Sequence, residues 1–152
     1  MVTQHAPWQK QKMIFNLKIS RLKESDREKL VNIIDDMTAL LTRLNCPFTL
    51  EDADNFIKNY NTWGIKYKGE LVGAFEIKKT GETAYVVSSE WRSKGICTKA
   101  MESAKLIADK QFNISKLWCY IHPENIPSMR VAQKAGLEIK NVKEAFSRSG
   151  YQ

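Results

Sequence analysis

The stretch Val86-Val87-Ser88-Ser89-Glu90-Trp91-Arg92-Ser93-Lys94-Gly95-Ile96-Cys97-Thr98-Lys99-Ala100 decides how the rest of the chain is read. A β-branched run enters a short basic turn containing glycine, and the turn runs straight into a helical pattern. A strand, a tight turn and a helix N-terminus together make an anion site. The N–H groups of the first helical turn have no partner inside the helix, and the helix dipole adds partial positive charge there. Arg92 and Lys94 add full charges, and Gly95 lets a ligand approach the backbone. The pattern is neither a P-loop, since no Gly-Lys-Ser/Thr closes it, nor G-x-G-x-x-G. It is a shorter turn, Arg-x-x-Gly-x-Cys. Its plainer reading is a basic turn that starts an ordinary helix.

Outward from this turn, 152 residues fit one domain with room for a real core. Hydrophobic residues make up 43% and charged residues 27%, the balance of an ordinary globular chain rather than a disordered one. No apolar run approaches the ~18 residues of a membrane span. No secretory signal opens the chain, so a cytoplasmic location is expected. Cys46, Cys97 and Cys119 form no C-x-x-C pair, and His5 and His122 add no ligand spacing, so neither a disulfide framework nor a metal site is expected. The net charge of +7 raises a polyanion as partner. The basic residues are scattered among acids, as in Lys23-Glu24-Ser25-Asp26-Arg27-Glu28-Lys29, which argues against nucleic acid and for a solvated surface that also attracts phosphate-rich cofactors.

Residues 1–12 carry no period and are expected to form a loose arm, with the domain running over 13–152. Met13 to Ile19 alternates as a first strand. Ser25 and Glu28 have capping-box spacing, and Leu30, Val31, Ile34, Met37, Leu41 and Leu44 predict one helix over about 26–44. Thr49 and Asp52 start a second helix, with Ala53, Phe56, Ile57 and Tyr60 on its apolar face. Three strand-like runs follow, 63–67, 71–77 and 83–88, joined by short turns as an antiparallel meander. The helix after the basic turn is expected to reach about Gln111. Lys116 to His122 reads as a buried strand, which a right-handed crossover sets beside the strand before the turn. Pro123 to Ser128 is a loop and helix start, Met129 to Lys134 a short helix closed at Gly136, and Leu137 to Val142 a further strand.

The second half resembles the GNAT superfamily of acetyl-CoA-dependent N-acetyltransferases, in the branch that includes RimJ and RimL. The resemblance rests on Leu71-Val72-Gly73-Ala74, on the turn Trp91 to Ala100, on Pro123-Glu124-Asn125-Ile126-Pro127-Ser128-Met129-Arg130-Val131, and on Lys134-Ala135-Gly136-Leu137, in order and spacing. The openings Ser20 to Asp26 and Thr49 to Ala53 are similar to that branch too. It implies an α/β (α+β) single-domain fold: a central mixed, mostly antiparallel twisted sheet, splayed at the cofactor strand and flanked by helices. This chain departs from the pattern at Cys97, where glycine or alanine is usual, and at Leu137, where an aromatic is usual. It also stops soon after Tyr151, so the final strand is expected to be short, missing or supplied by a partner chain, which leaves a homodimer open.

The resemblance implies acetyl-CoA as cofactor, its pyrophosphate on the backbone N–H groups of Arg92, Ser93, Lys94, Gly95, Ile96, Cys97 and Thr98. It implies a pantetheine arm paired with the backbone of Val86, Val87 and Ser88. Asn125 would bond that arm and Ser128 would lie near its sulfur. Both also fit a helix start for structural reasons alone. Relatives often carry a tyrosine acid on the helix after the asparagine. That place is Ala132 here, which leaves Ser128 as the candidate acid. Glu82, Glu90 and Glu144 are weak candidates for a base. The acceptor is expected to be a primary amine, on a protein N-terminus or a small molecule, in a groove near Asn45 to Phe48, Tyr60 and Trp63. A non-catalytic acyl-CoA-binding module of the same fold is the alternative, with turnover as the discriminating observation.

Overall fold

The computed structural model describes residues 16–42 and 44–141. The expected arm, residues 13–15 of the first strand, and the end of the chain beyond 141, with Glu144 and any last strand, lie outside the described residues. Strands β1 (Leu17–Arg21), β2 (Thr62–Tyr67), β3 (Glu70–Ile77) and β4 (Thr83–Val87) form a four-stranded antiparallel sheet in chain order. Strands β5 (Trp118–Ile121) and β6 (Glu138–Asn141) pair with each other in parallel as a two-stranded sheet. One parallel bridge, Glu82 to Trp118, joins the sheets at the start of β4. Beyond it no strand pairs with the outer edge of β4 among the described residues, so the expected splay is a separation into two sheets.

Helices α1 (Arg27–Ile33), α2 (Asp36–Thr42) and α3 (Leu50–Lys58) lie before the meander, and α4 (Ile96–Phe112) and α5 (Ile126–Ala135) follow it. The faces of the large sheet divide the core. Val72, Phe75, Ile77 and Val87 pack with Ile96, Ala100, Met101 and Ala104 of α4 and Ala132 and Ala135 of α5. Leu71, Ala74 and Val86 pack with Leu30, Ile33, Ala39 and Ala53 of the first three helices. Pairing of β3 with β2 skips Val72, a bulge that shifts the alternation of faces at that point. Next to it, a Cβ on Gly73 would sit 2.5 Å from the Val86 carbonyl oxygen, so only glycine lets β3 and β4 run this close.

The single helix expected over 26–44 is two helices. Ile34 leaves helical geometry, and the Asp35 carboxylate accepts from the Thr38 N–H at 2.8 Å, capping a new helix. That bond holds the Asp35 carboxyl below the ordinary aspartate value. The restart rotates the apolar face: Thr38 and Ala39 turn inward, and Met37, expected in the core, is 63% exposed. The opening cap also differs. Asp26, not Ser25, closes it, accepting from the Lys23 N–H at 2.8 Å and pairing with Lys66 at 3.4 Å. The capping box of Thr49 and Asp52 forms at α3 as the spacing predicts.

Candidate functional site

The turn after β4 is built by backbone geometry. Ser89–Trp91 is a short 3-10 turn; Ser93 (φ 61°) and Gly95 (φ 80°) both adopt left-handed conformations, and α4 begins at Ile96. The first bond of the α4 ladder runs from the Lys99 N–H to the Gly95 carbonyl at 3.1 Å, so the N–H groups of Ile96, Cys97 and Thr98 have no partner within the helix. Among the described residues no side chain caps this N-terminus, and no acidic residue lies in its first turn. A 17-residue helix therefore presents its positive end bare at a glycine.

The side-chain charges of the turn point elsewhere. Arg92 donates from Nε to the Val87 carbonyl at 3.1 Å and from Nη2 to Thr38 Oγ1 at 2.9 Å. It thereby ties α2 to the turn after β4. Lys94 Nζ lies 5.8 Å from the Trp91 ring centroid, and Trp91 packs against Tyr67 at 5.0 Å. The donors this turn leaves outside the helix ladder are backbone N–H groups, and the two cations add a general positive field.

The open edge of β4 comes from strand alternation. The Ser88 N–H donates to the Val72 carbonyl at 2.8 Å, and Val86 pairs with Ala74, so both turn their backbone toward β3. Val87, between them, faces the gap between the sheets. This narrows the strand expected to pair with an extended ligand: of Val86, Val87 and Ser88, the Val87 N–H is the group aimed outward.

Cys97 packs against the main core, and burial pushes its thiol up to about 12 from 9.0. It serves as a small neutral residue at a position where glycine or alanine is usual. The Cys119 thiol is pushed up to about 12 in the same way. The folded state keeps protons that the unfolded chain releases near 9, so this stability is full below that value and is lost as pH rises toward 12. The urea midpoint is therefore expected to fall between about pH 8 and about pH 11, and Cys97→Ala should shrink that fall. A pH-independent midpoint would show that the thiols are not held neutral by the fold.

Across the gap, Asn125 caps α5: its Oδ1 accepts from the Ser128 N–H at 3.4 Å. Pro127 has no N–H to offer, which directs the cap to Ser128. The Ser128 hydroxyl donates to the Tyr85 hydroxyl oxygen at 3.1 Å, and the Tyr85 O–H donates to the Ser128 carbonyl at 2.8 Å. Tyr85, on β4, is a residue the sequence reading passed over. The signal was its parity with Thr83 and Val87, which sends all three to the α4 face. Burial raises its phenol well above the ordinary tyrosine value.

The acceptor-side candidates separate. Trp63 is 4% exposed and stacks on Phe75 at 5.6 Å, and Phe48 is buried, so both are core residues rather than groove residues. Asn45 donates to Asp52 at 2.8 Å. Tyr60 is not on the apolar face of α3: it follows the helix, 72% exposed, with the Arg21 guanidinium 4.1 Å from its ring centroid. Among the candidate bases, Glu82 pairs with Lys78 at 2.8 Å and Glu90 is exposed. Among the described residues no cluster of three or more His, Cys, Asp or Glu could hold a metal ion, and no helix is long and apolar enough to cross a membrane.

Solved structures share this fold. An acetyltransferase of the GNAT family from Bacillus anthracis matches with a TM-score of 0.66 and 25% identity, covering 80% of this chain and 79% of its own. A Vibrio cholerae protein assigned to the ribosomal-protein-serine acetyltransferases matches at 0.59 and 20% identity, over 80% and 79%. The Microcin C7 self immunity acetyltransferase, solved in complex with acetyl-CoA and AMP, matches at 0.60 and 17%, over 80% and 78%. The last two likenesses speak to the fold. The family model described as acetyltransferase (GNAT) domain matches residues 16–138, a span that takes in β1, the bare end of α4 and the Asn125–Ser128 cap, and by that match the chain belongs to the GNAT acetyltransferase family.

Proposed function

We propose that this chain transfers an acetyl group from acetyl-CoA to the nitrogen of a primary amine, on a protein N-terminus or a small molecule, by direct attack in a ternary complex. Within the family we place it in the RimJ/RimL-like branch, on the motif order of the turn and the Asn125–Ser128 segment. The observation that carries the reading is the bare N-terminus of α4, entered through Gly95, beside a strand edge that, past the Glu82–Trp118 bridge, pairs with no strand among the described residues. A diphosphate needs several convergent donors in one small volume, and the N–H groups of Ile96, Cys97 and Thr98 supply them. The residues present therefore fit the group.

In this reading the turn Arg92, Ser93, Lys94, Gly95, Ile96, Cys97 and Thr98 holds the diphosphate, with Arg92 bracing the turn against α2 rather than reaching for phosphate. Val87 offers its N–H along the gap and is placed to donate to the oxyanion of the tetrahedral transition state. Val86 and Ser88 hold that strand to β3. Asn125 fixes the start of α5, and Ser128 delivers a proton to the departing sulfur. When bound, the thioester supplies an activated acyl group that an amine attacks directly.

Acetyl-CoA at about a hundred times its dissociation constant should stabilise the fold by roughly 2.7 kcal/mol, a rise of several degrees in Tm. Turnover with a panel of amines then tests the transfer itself. No Tm shift at millimolar acetyl-CoA would remove the site. A shift without turnover on any amine would leave a binding module of the same fold.

A further inference from the structure

The hydroxyls of Tyr85 and Ser128 form a pair that connects the two sides of the split in the sheet. Tyr85 comes from β4, and Ser128 from the first turn of α5. The phenol oxygen sits 2.8 Å from the Ser128 carbonyl and 3.1 Å from Ser128 Oγ. One phenol proton thus has two acceptors within reach on the same residue. While it goes to the carbonyl, the serine proton is held on the phenol oxygen and points away from any ligand in the gap. Turned to Oγ instead, the phenol leaves the serine proton to be donated outward.

We propose that Tyr85 is a positioning residue for Ser128, switching its hydroxyl proton from the serine carbonyl to the serine oxygen so that the Ser128 proton is presented to the transferring group. The inference rests on the acetyl-transfer reading above. Ser128 passes its proton to sulfur as the carbon–sulfur bond breaks and the electron pair stays on sulfur. It regains a proton, through water, from the nitrogen that has bonded to the acyl carbon. Tyr85 remains a neutral phenol throughout. Its place between apolar neighbours suits that role, since burial disfavours the phenolate. Ala132, at the usual position of a tyrosine acid, is buried in the core and offers no competing hydroxyl.

The test is a cycle of Tyr85→Phe, Ser128→Ala and the double variant, with kcat and the KM for acetyl-CoA measured beside Tm. Tyr85→Phe is expected to lower kcat about tenfold with the KM for acetyl-CoA within about twofold, and to lower it no further when Ser128 is already alanine. Ser128→Thr keeps a hydroxyl and should remain sensitive to Tyr85→Phe, which preserves the test if the alanine variant folds poorly. Wild-type kcat in Tyr85→Phe, or the same fall in both serine and alanine backgrounds, would overturn the positioning role alone. A wild-type protein that binds acetyl-CoA yet turns over no amine would overturn the transfer reading and this inference with it.

Discussion

Gly95→Asp is expected to cut the affinity for acetyl-CoA by about a thousandfold while leaving the protein folded. Gly95 is the residue from which α4 starts, at φ 80° and ψ 0°, and the N–H groups behind it have no partner within the helix. A carboxylate there would meet a diphosphate at ~4 Å, which at an effective dielectric of ~20 costs about 4 kcal/mol per unit charge. It would also occupy the donors itself, because aspartate at a helix start readily accepts from them. The left-handed conformation adds a smaller strain, and aspartate and asparagine are among the side chains that tolerate it. Gly95→Asn isolates the charge, since it carries the same strain and the same ability to cap the donors, and it should lose far less affinity than Gly95→Asp. Calorimetric titration of the folded variants measures both. Unchanged affinity in Gly95→Asp would place the anion site somewhere other than this turn.

The turn was legible because its meaning is local. A β-branched run, a glycine and an amphipathic helix are enough to orient N–H groups toward one point, whatever the rest of the chain does. The capping box at Thr49 and Asp52 was legible for the same reason. The helix over 26–44 was not, because periodicity averages over a break. Asp35 was the cue, an aspartate three residues before Thr38, but it lies inside an apolar series that continues in phase through Met37. Trp63 fits a groove by its sequence position, whereas a strand running through the middle of a sheet places it against Phe75. The roles within Val86, Val87 and Ser88 depend on which edge of β4 is paired, and that follows from Ser88 donating to Val72. Tyr85 and Ser128 lie 43 residues apart, and only the packing of α5 beside β4 brings their hydroxyls together. Arg92 shows the same limit. Its charge suggested an anion contact, and its hydrogen bonds to Val87 and Thr38 make it a brace between the turn and α2.

Ser128→Ala should lower kcat and kcat/KM together, with little change in the KM for acetyl-CoA. Delivery of a proton to the leaving thiolate is needed in the transition state and not in the ground state, so its loss does not weaken binding. General acid assistance is typically worth about 10²–10⁴-fold, and a water molecule filling the space of the hydroxyl would bring the fall toward the lower end. The backbone of Ser128 has its own duties, accepting the Tyr85 proton through its carbonyl and giving its N–H to the Asn125 cap. Alanine retains both groups, so the start of α5 should survive and Tm should move little. Removing the hydroxyl takes one partner from the Tyr85 oxygen, but the phenol is only partly buried and still donates to the Ser128 carbonyl, so the cost to the fold is small. A lower rate with an intact Tm therefore reports the chemical step rather than the fold. If the variant keeps the wild-type kcat on an amine the protein turns over, Ser128 serves only the helix start, and the proton reaches sulfur directly from water.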